Sequence, residues 1–232
     1  MSTQYLSTDA ASQMSAVRSL HYRSVSGVSE VTTAMGGSVL AQADAGDLAR
    51  IQSAGIVDLT LMSRVGYRGK GAEGFLDEQG IRLPDTPNQA LMQPTGELAV
   101  RLSPREFWLL GSLNDRGARV AEMPRLHKET PERCYPLFCE DSHSWFVLAG
   151  EHVAQVMAKL CAVDLREKAF PLGAVAQTSV ARTNCIVVHH RIRELSCFSI
   201  LSDATSGEYL LSVLQDAVTE FRGGLCGIEA LL

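Results

Sequence analysis

The chain has 232 residues, 46% hydrophobic and 20% charged, with 19 glycines and 8 prolines, which excludes collagenous, low-complexity and disordered classes. Its 21 basic residues stand against 26 acidic ones, a formal charge of -5, and no basic run provides the counterion-releasing face that nucleic-acid binding needs. No stretch approaches the roughly 20 apolar residues of a membrane span, and the polar first thirty residues lack a secretory pattern. A cytoplasmic protein with reduced thiols is therefore expected. Cys134, Cys139, Cys161, Cys185, Cys197 and Cys226 contain no C-x-x-C and no zinc-type spacing.

Residues 1–45 are rich in Ser, Thr, Ala and Gly and read as an N-terminal arm with one short strand. From Gly46 one unit occurs twice: an acid, a short strand, a glycine and an amphipathic helix. In the first copy Asp58-Leu59-Thr60 leads into a strand over 62–67, then Gly69 and a helix carrying Ala72, Phe75 and Leu76. In the second, Asp141-Ser142-His143 leads into a strand over 145–148, then Gly150 and a helix carrying Val153, Val156, Met157 and Leu160. Between the copies, 97–102 and 106–110 read as a hairpin turning at Ser103-Pro104-Arg105. Residues 116–136, polar with three prolines, read as a connecting loop.

Strands are expected over 174–182, 185–189 and 195–201. The last helix opens on a capping box, Thr205 with Glu208, presents Leu210, Val213, Leu214, Ala217 and Phe221 on one face, and stops at Gly223-Gly224. The fold class is α+β: two paired ferredoxin-like units, over 46–140 with its connecting loop and over 141–232 with the C-terminal helix.

Asp141, Ser142 and His143 are triad residue types, but neighbours on an extended chain point to opposite faces and a triad must converge. His189-His190 fails as a metal pair for the same reason. Gly66, Gly69 and Gly71 lack the G-x-G-x-x-G spacing and read as turn glycines, and Trp108 and Trp145 read as core or interface. No catalytic, cofactor-binding or metal-ligating set is assigned. Arg166, Gln177 and Arg182 are candidate interface or structural polar anchors, because a polar group in a buried sheet requires a partner.

Residues 144–150 (SWFVLAG), 156–166 (VMAKLCAVDLR) and 169–182 (AFPLGAVAQTSVAR), with 199–221 at the end, resemble the γ subunit of heterotetrameric sarcosine oxidase. The likeness extends more loosely back to residue 46 through 57–60, 69–76 and 102–110. That family is similar in fold to the aminomethyltransferase T-protein of glycine cleavage, whose folate-binding domains are paired α+β units.

The resemblance implies α, β and δ partner subunits carrying FAD, FMN, NAD, tetrahydrofolate and zinc. Together they would oxidise sarcosine to glycine, reduce oxygen to peroxide and pass the one-carbon unit to tetrahydrofolate. This chain would be the accessory, non-catalytic γ member; a stand-alone folate-binding protein or aminomethyltransferase is the alternative. Dimethylglycine and N-methylglutamate remain open as substrates. Where T-proteins carry D-x-S-H-M this chain has Leu61 in the histidine's place, and their acidic doublet is reduced to Glu97.

Overall fold

A computed structural model describes residues 29–127 and 133–232. A hairpin of β1 (Ser29–Thr32) and β2 (Ser38–Gln42) precedes helix α1 (Asp47–Ala54) and strand β3 (Gly55–Asp58). The first unit follows as β4 (Arg64–Arg68), α2 (Ala72–Glu78), β5 (Gln89–Met92), β6 (Leu98–Ser103), β7 (Glu106–Leu110), α3 (Ala118–His127) and β8 (Tyr135–Leu137). The second comprises β9 (His143–Ala149), α4 (Val153–Ala158), β10 (Val175–Val180), β11 (Thr183–Ile192), β12 (Leu195–Asp203), α5 (Gly207–Thr219) and β13 (Gly224–Cys226).

The five-stranded sheet has the order β5-β6-β7-β4-β8, and the six-stranded sheet β10-β11-β12-β9-β3-β13. In each, a strand, its helix and a second strand enclose an antiparallel third: β4, α2 and β6 around β7, and β9, α4 and β11 around β12. This is the ferredoxin-like arrangement, made twice.

The period of two explains the layering. Leu98, Val100, Leu102, Trp108 and Leu110 of one sheet share a core with Val57, Trp145, Val147, Ala149, Val188 and Leu201 of the other. The alternate residues Ala99, Phe107 and Leu109 face Phe75 and Leu76 of α2 and Val120 and Met123 of α3. Phe146, Leu148 and Ile200 likewise face α4 and α5. The layers are therefore helices, sheet, sheet, helices. Sheets covered on both faces read as continuous apolar runs, as at 107–110 and 145–149.

Gly69 and Gly150 mark the same point in both units. Their φ values are +130° and +129°, a region closed to residues with a side chain. Each donates its N–H to its unit's central hairpin, Gly69 to Arg105 O in the turn and Gly150 to Ser196 O at the start of β12.

Four expectations are corrected. The arm contains two strands rather than one, because Val39, Leu40 and Ala41 are buried; residues 1–28 lie outside the described residues. The expected loop over 116–136 holds α3, since Val120 and Met123 bury one helical face and the Asp115 carboxylate accepts from the Gly117 and Arg119 N–H groups, both at 2.9 Å. The expected cap of α5 is displaced: Asp203 Oδ1 accepts from Thr205 N at 2.9 Å, and a 3-10 turn, Ala204–Ser206, precedes the helix. Finally, α1 and β3 belong to the six-stranded sheet, where β3 pairs with β9 and β13, so the sheets do not divide the chain at residue 140. Among the described residues, no helix is long and apolar enough to cross a membrane.

Candidate functional site

The strongest polar constellation lies inside the inter-sheet core, where inward-facing positions of β9, β11 and β12 carry Trp145, His190 and Ser199. The Trp145 indole donates to Ser199 Oγ at 3.0 Å, and His190 Nε2 lies 2.8 Å from the same oxygen. An indole N–H only donates. Ser199 therefore accepts from Trp145 and shares one further hydrogen with His190 Nε2, given by the hydroxyl or by the imidazole according to the tautomer. Nδ1 is buried and has no hydrogen-bond partner among the described residues. Burial, with His189 adding, pushes the His190 pKa down to about 3, so the ring is neutral.

His190 and Trp145 line a cavity of about 290 Å³ where the two sheets meet. Leu59, Leu98, Leu110 and Val147 supply apolar wall, and the exposed Arg191 and Arg193 border it. On the facing wall the polar side chains are used internally: Gln93 bonds Arg82 N and O, and Ser112 Oγ donates to Thr95 O at 2.9 Å. Among the described residues, no carboxylate or thiol side chain lines the cavity. The arrangement can hold a flat apolar group beside one imidazole nitrogen and attract a negative end.

The buried neutral histidine has a measurable consequence. In the unfolded chain it ionises near 6.5, in the folded chain near 3. Between these values the unfolded state takes up more protons, so stability falls as pH drops through this window, by up to about 1.4 kcal/mol per pH unit. A His190→Leu variant is expected to show a flatter loss between pH 7 and 5 in urea unfolding. The same slope in both proteins would contradict the assignment.

The other candidates do not converge on this cavity. Gln177 Nε2 donates to Asn88 Oδ1 and Leu102 O, both at 2.8 Å, and ties β10 to the first unit beside the Gln89–Ala174 bridge. Arg182 is exposed in the β10–β11 turn, where it and Ala181 have φ values of +66° and +49°. Arg166 is exposed and paired with Asp164 at 2.6 Å.

His189 is occupied on both nitrogens, by Phe170 O at 2.7 Å and Ser196 Oγ at 3.1 Å. Ser142 Oγ does reach His143 Nδ1, at 2.7 Å, because Ser142 lies in the turn before β9 rather than on the extended strand. The carboxylate acting on His143 is Asp203, which Thr205 already holds, and burial lowers the His143 pKa. No group of three or more His, Cys, Asp or Glu suited to a metal occurs among the described residues.

Glu97 and Leu61 also lie apart from the cavity walls. The Glu97 carboxylate accepts from Thr95 Oγ1 and lies 3.7 Å from Arg119, and Leu61 borders a smaller pocket with Glu140 and Asp141. All six cysteines are buried and unpaired; burial raises the Cys139 and Cys197 pKa values to about 12. Sequence reasoning missed His190 as a cavity residue. The available signal was a histidine and a serine at inward-facing positions of strands otherwise built from apolar residues.

No protein-family model matches this sequence, and no curated protein matches it. Solved structures do. A chain of the heterotetrameric sarcosine oxidase from Corynebacterium sp. U-96 is similar with a TM-score of 0.61 and 21% identity, over 78% of this chain and 93% of that one. The glycine cleavage system aminomethyltransferase T from Bartonella henselae is similar with a TM-score of 0.64 and 17% identity, over 91% of this chain but only 58% of that one. The shared fold is two ferredoxin-like units packed sheet to sheet.

Proposed function

We propose that this chain is the accessory γ-type subunit of a cytoplasmic, sarcosine oxidase-like assembly and has no catalytic step of its own. The observation that carries this reading is coverage. The two units account for nearly all of the matched sarcosine oxidase chain but little more than half of the aminomethyltransferase.

FAD, FMN, NAD, tetrahydrofolate and zinc would then reside on α, β and δ partners. Those partners would oxidise the N-methyl amino acid, while this chain supplies packing surface. Arg166, Gln177 and Arg182 are assigned as anchors on this reading, with Gln177 acting between the two units and the exposed Arg166 and Arg182 available to a partner.

A second reading, a folate-binding protein or aminomethyltransferase, is favoured by the unpartnered Nδ1 of His190 beside Trp145 and the nearby arginines. The two separate experimentally. Co-expression with α, β and δ subunits of a sarcosine oxidase is expected to yield a stoichiometric four-chain complex, and calorimetric titration of the isolated chain with tetrahydrofolate is expected to be silent. A chain that ignores the partners and binds tetrahydrofolate would reverse the order of the two readings.

A further inference from the structure

The two sheets differ at one edge, and their register shows how. Because Gly69 and Gly150 are equivalent, Arg68, Tyr67 and Gly66 of β4 correspond to Ala149, Leu148 and Val147 of β9. Their antiparallel partners then correspond as well: Tyr135 to Gly55, Pro136 to Ile56, and Leu137 to Val57. In the six-stranded sheet a further strand, β13, pairs in parallel with β3, setting Leu225 against Ile56. In the five-stranded sheet β8 is the last strand, and no described strand covers its outer edge.

Backbone direction separates the two positions. Leu59 donates its N–H to Trp145 O at 2.8 Å, so by alternation Val57 and Gly55 turn towards β9 and Ile56 turns its N–H and C=O towards β13. In the other sheet Gly111 donates to Ser63 O at 2.8 Å, so Ser63, Val65 and Tyr67 turn towards β7. Gly66 and Arg68 then turn towards Leu137 and Tyr135, and Pro136 faces the open edge. Where Ile56 offers a donor and an acceptor, Pro136 has no N–H to give.

The edge is one that needs closing, since Tyr135 is 62% exposed and Phe138 is 91% exposed. His127 Nε2 lies 3.0 Å from Cys134 O, the outward-facing carbonyl one position before β8, so at Pro136 it is the missing N–H, beside large exposed apolar side chains, that bears on the addition of a foreign strand. We propose that Pro136 closes this edge against strand addition by a second copy of the chain, at the one position where the sister sheet accepts an extra strand.

The test is sedimentation velocity of the full chain carrying Pro136→Ile, which installs the residue found at the sister position, alongside Pro136→Ala, which restores the N–H with little added volume. Circular dichroism verifies the fold of each. At least one folded variant is expected to self-associate about tenfold or more tightly than the parent chain, with new hydrogen-exchange protection at residues 135–138 in the associated form. Folded variants that sediment like the parent chain would overturn the proposal, as would association without that protection. If isoleucine prevents folding, the alanine variant alone decides between these outcomes.

Discussion

Replacing Arg64 by methionine is expected to remove about 3–5 kcal/mol of unfolding free energy, the range seen when one partner of a buried charged network is deleted. Arg64 is fully buried, yet among the described residues its guanidinium meets no carboxylate oxygen within salt-bridge distance; it is consumed by carbonyls. It donates to Thr60 O at 2.7 Å, Met62 O at 3.3 Å and Cys139 O at 2.9 Å, and also to Glu140 O and His143 O.

Four of these carbonyls belong to the two passages in which the chain crosses between sheets, from β3 to β4 and from β8 to β9, and the fifth, His143 O, to the first residue of β9. Arg64 therefore fastens one crossing to the other. Burial works against its charge, and the nearby Glu140, Asp141 and Asp58 offset part of that cost. Methionine fills the volume but donates nothing, which leaves carbonyls without partners at roughly 1–3 kcal/mol for each one kept from water. Lysine keeps the charge but has a single nitrogen and cannot reach both crossings, so Arg64→Lys is also expected to be clearly destabilised. Equilibrium urea unfolding measures both; a midpoint for Arg64→Met within error of the parent chain would refute the role.

Gly150→Ala is expected to destabilise by about 3 kcal/mol or more, through backbone collision combined with a forbidden φ. A Cβ at Gly150 would sit 2.5 Å from Ser53 O and 2.7 Å from Ile51 O, both backbone atoms of α1. That helix end depends on the same segment, because Glu151 and His152 donate their N–H groups to Gln52 O and Ser53 O at 2.8 and 2.9 Å. Alanine would push α1 away from the donors that satisfy its last carbonyls. Gly69→Ala should behave alike, with a Cβ 2.0 Å from Arg133 O.

Gly74 lies inside α2 with nothing within 4 Å of its would-be Cβ. There Gly74→Ala should stabilise by about 0.5–1 kcal/mol, the usual helix-interior gain. Thermal melts of the three variants should therefore move in opposite directions. A melting temperature for Gly150→Ala as high as that for Gly74→Ala would contradict the close backbone contact assigned to Gly150.

The doubled unit was legible because its markers are local: a glycine held at positive φ, then apolar residues at helical spacing, at Gly69 and again at Gly150. The β6–β7 hairpin was legible from Pro104 between two apolar runs. Helix α3 was not, because Pro124 lies within it and its buried face is reduced to Val120 and Met123. The transfer of β3 to the second sheet was equally hidden. Its signal is a pairing register with β9, some ninety residues away, and Gly55-Ile56-Val57-Asp58 has the same local character wherever it pairs. The cavity was invisible for a related reason. Trp145, His190 and Ser199 come from three strands, and only the sheet order brings Ser199 Oγ between the other two.

On the proposal above, this chain serves a flavin-bearing assembly rather than working alone. Tagged at its C-terminus in its native host and purified under gentle conditions, it is expected to yield a yellow preparation, with flavin absorbance and three companion chains in equal amounts on a denaturing gel. A colourless single chain, obtained from cells that contain sarcosine oxidase activity, would refute the accessory-subunit role.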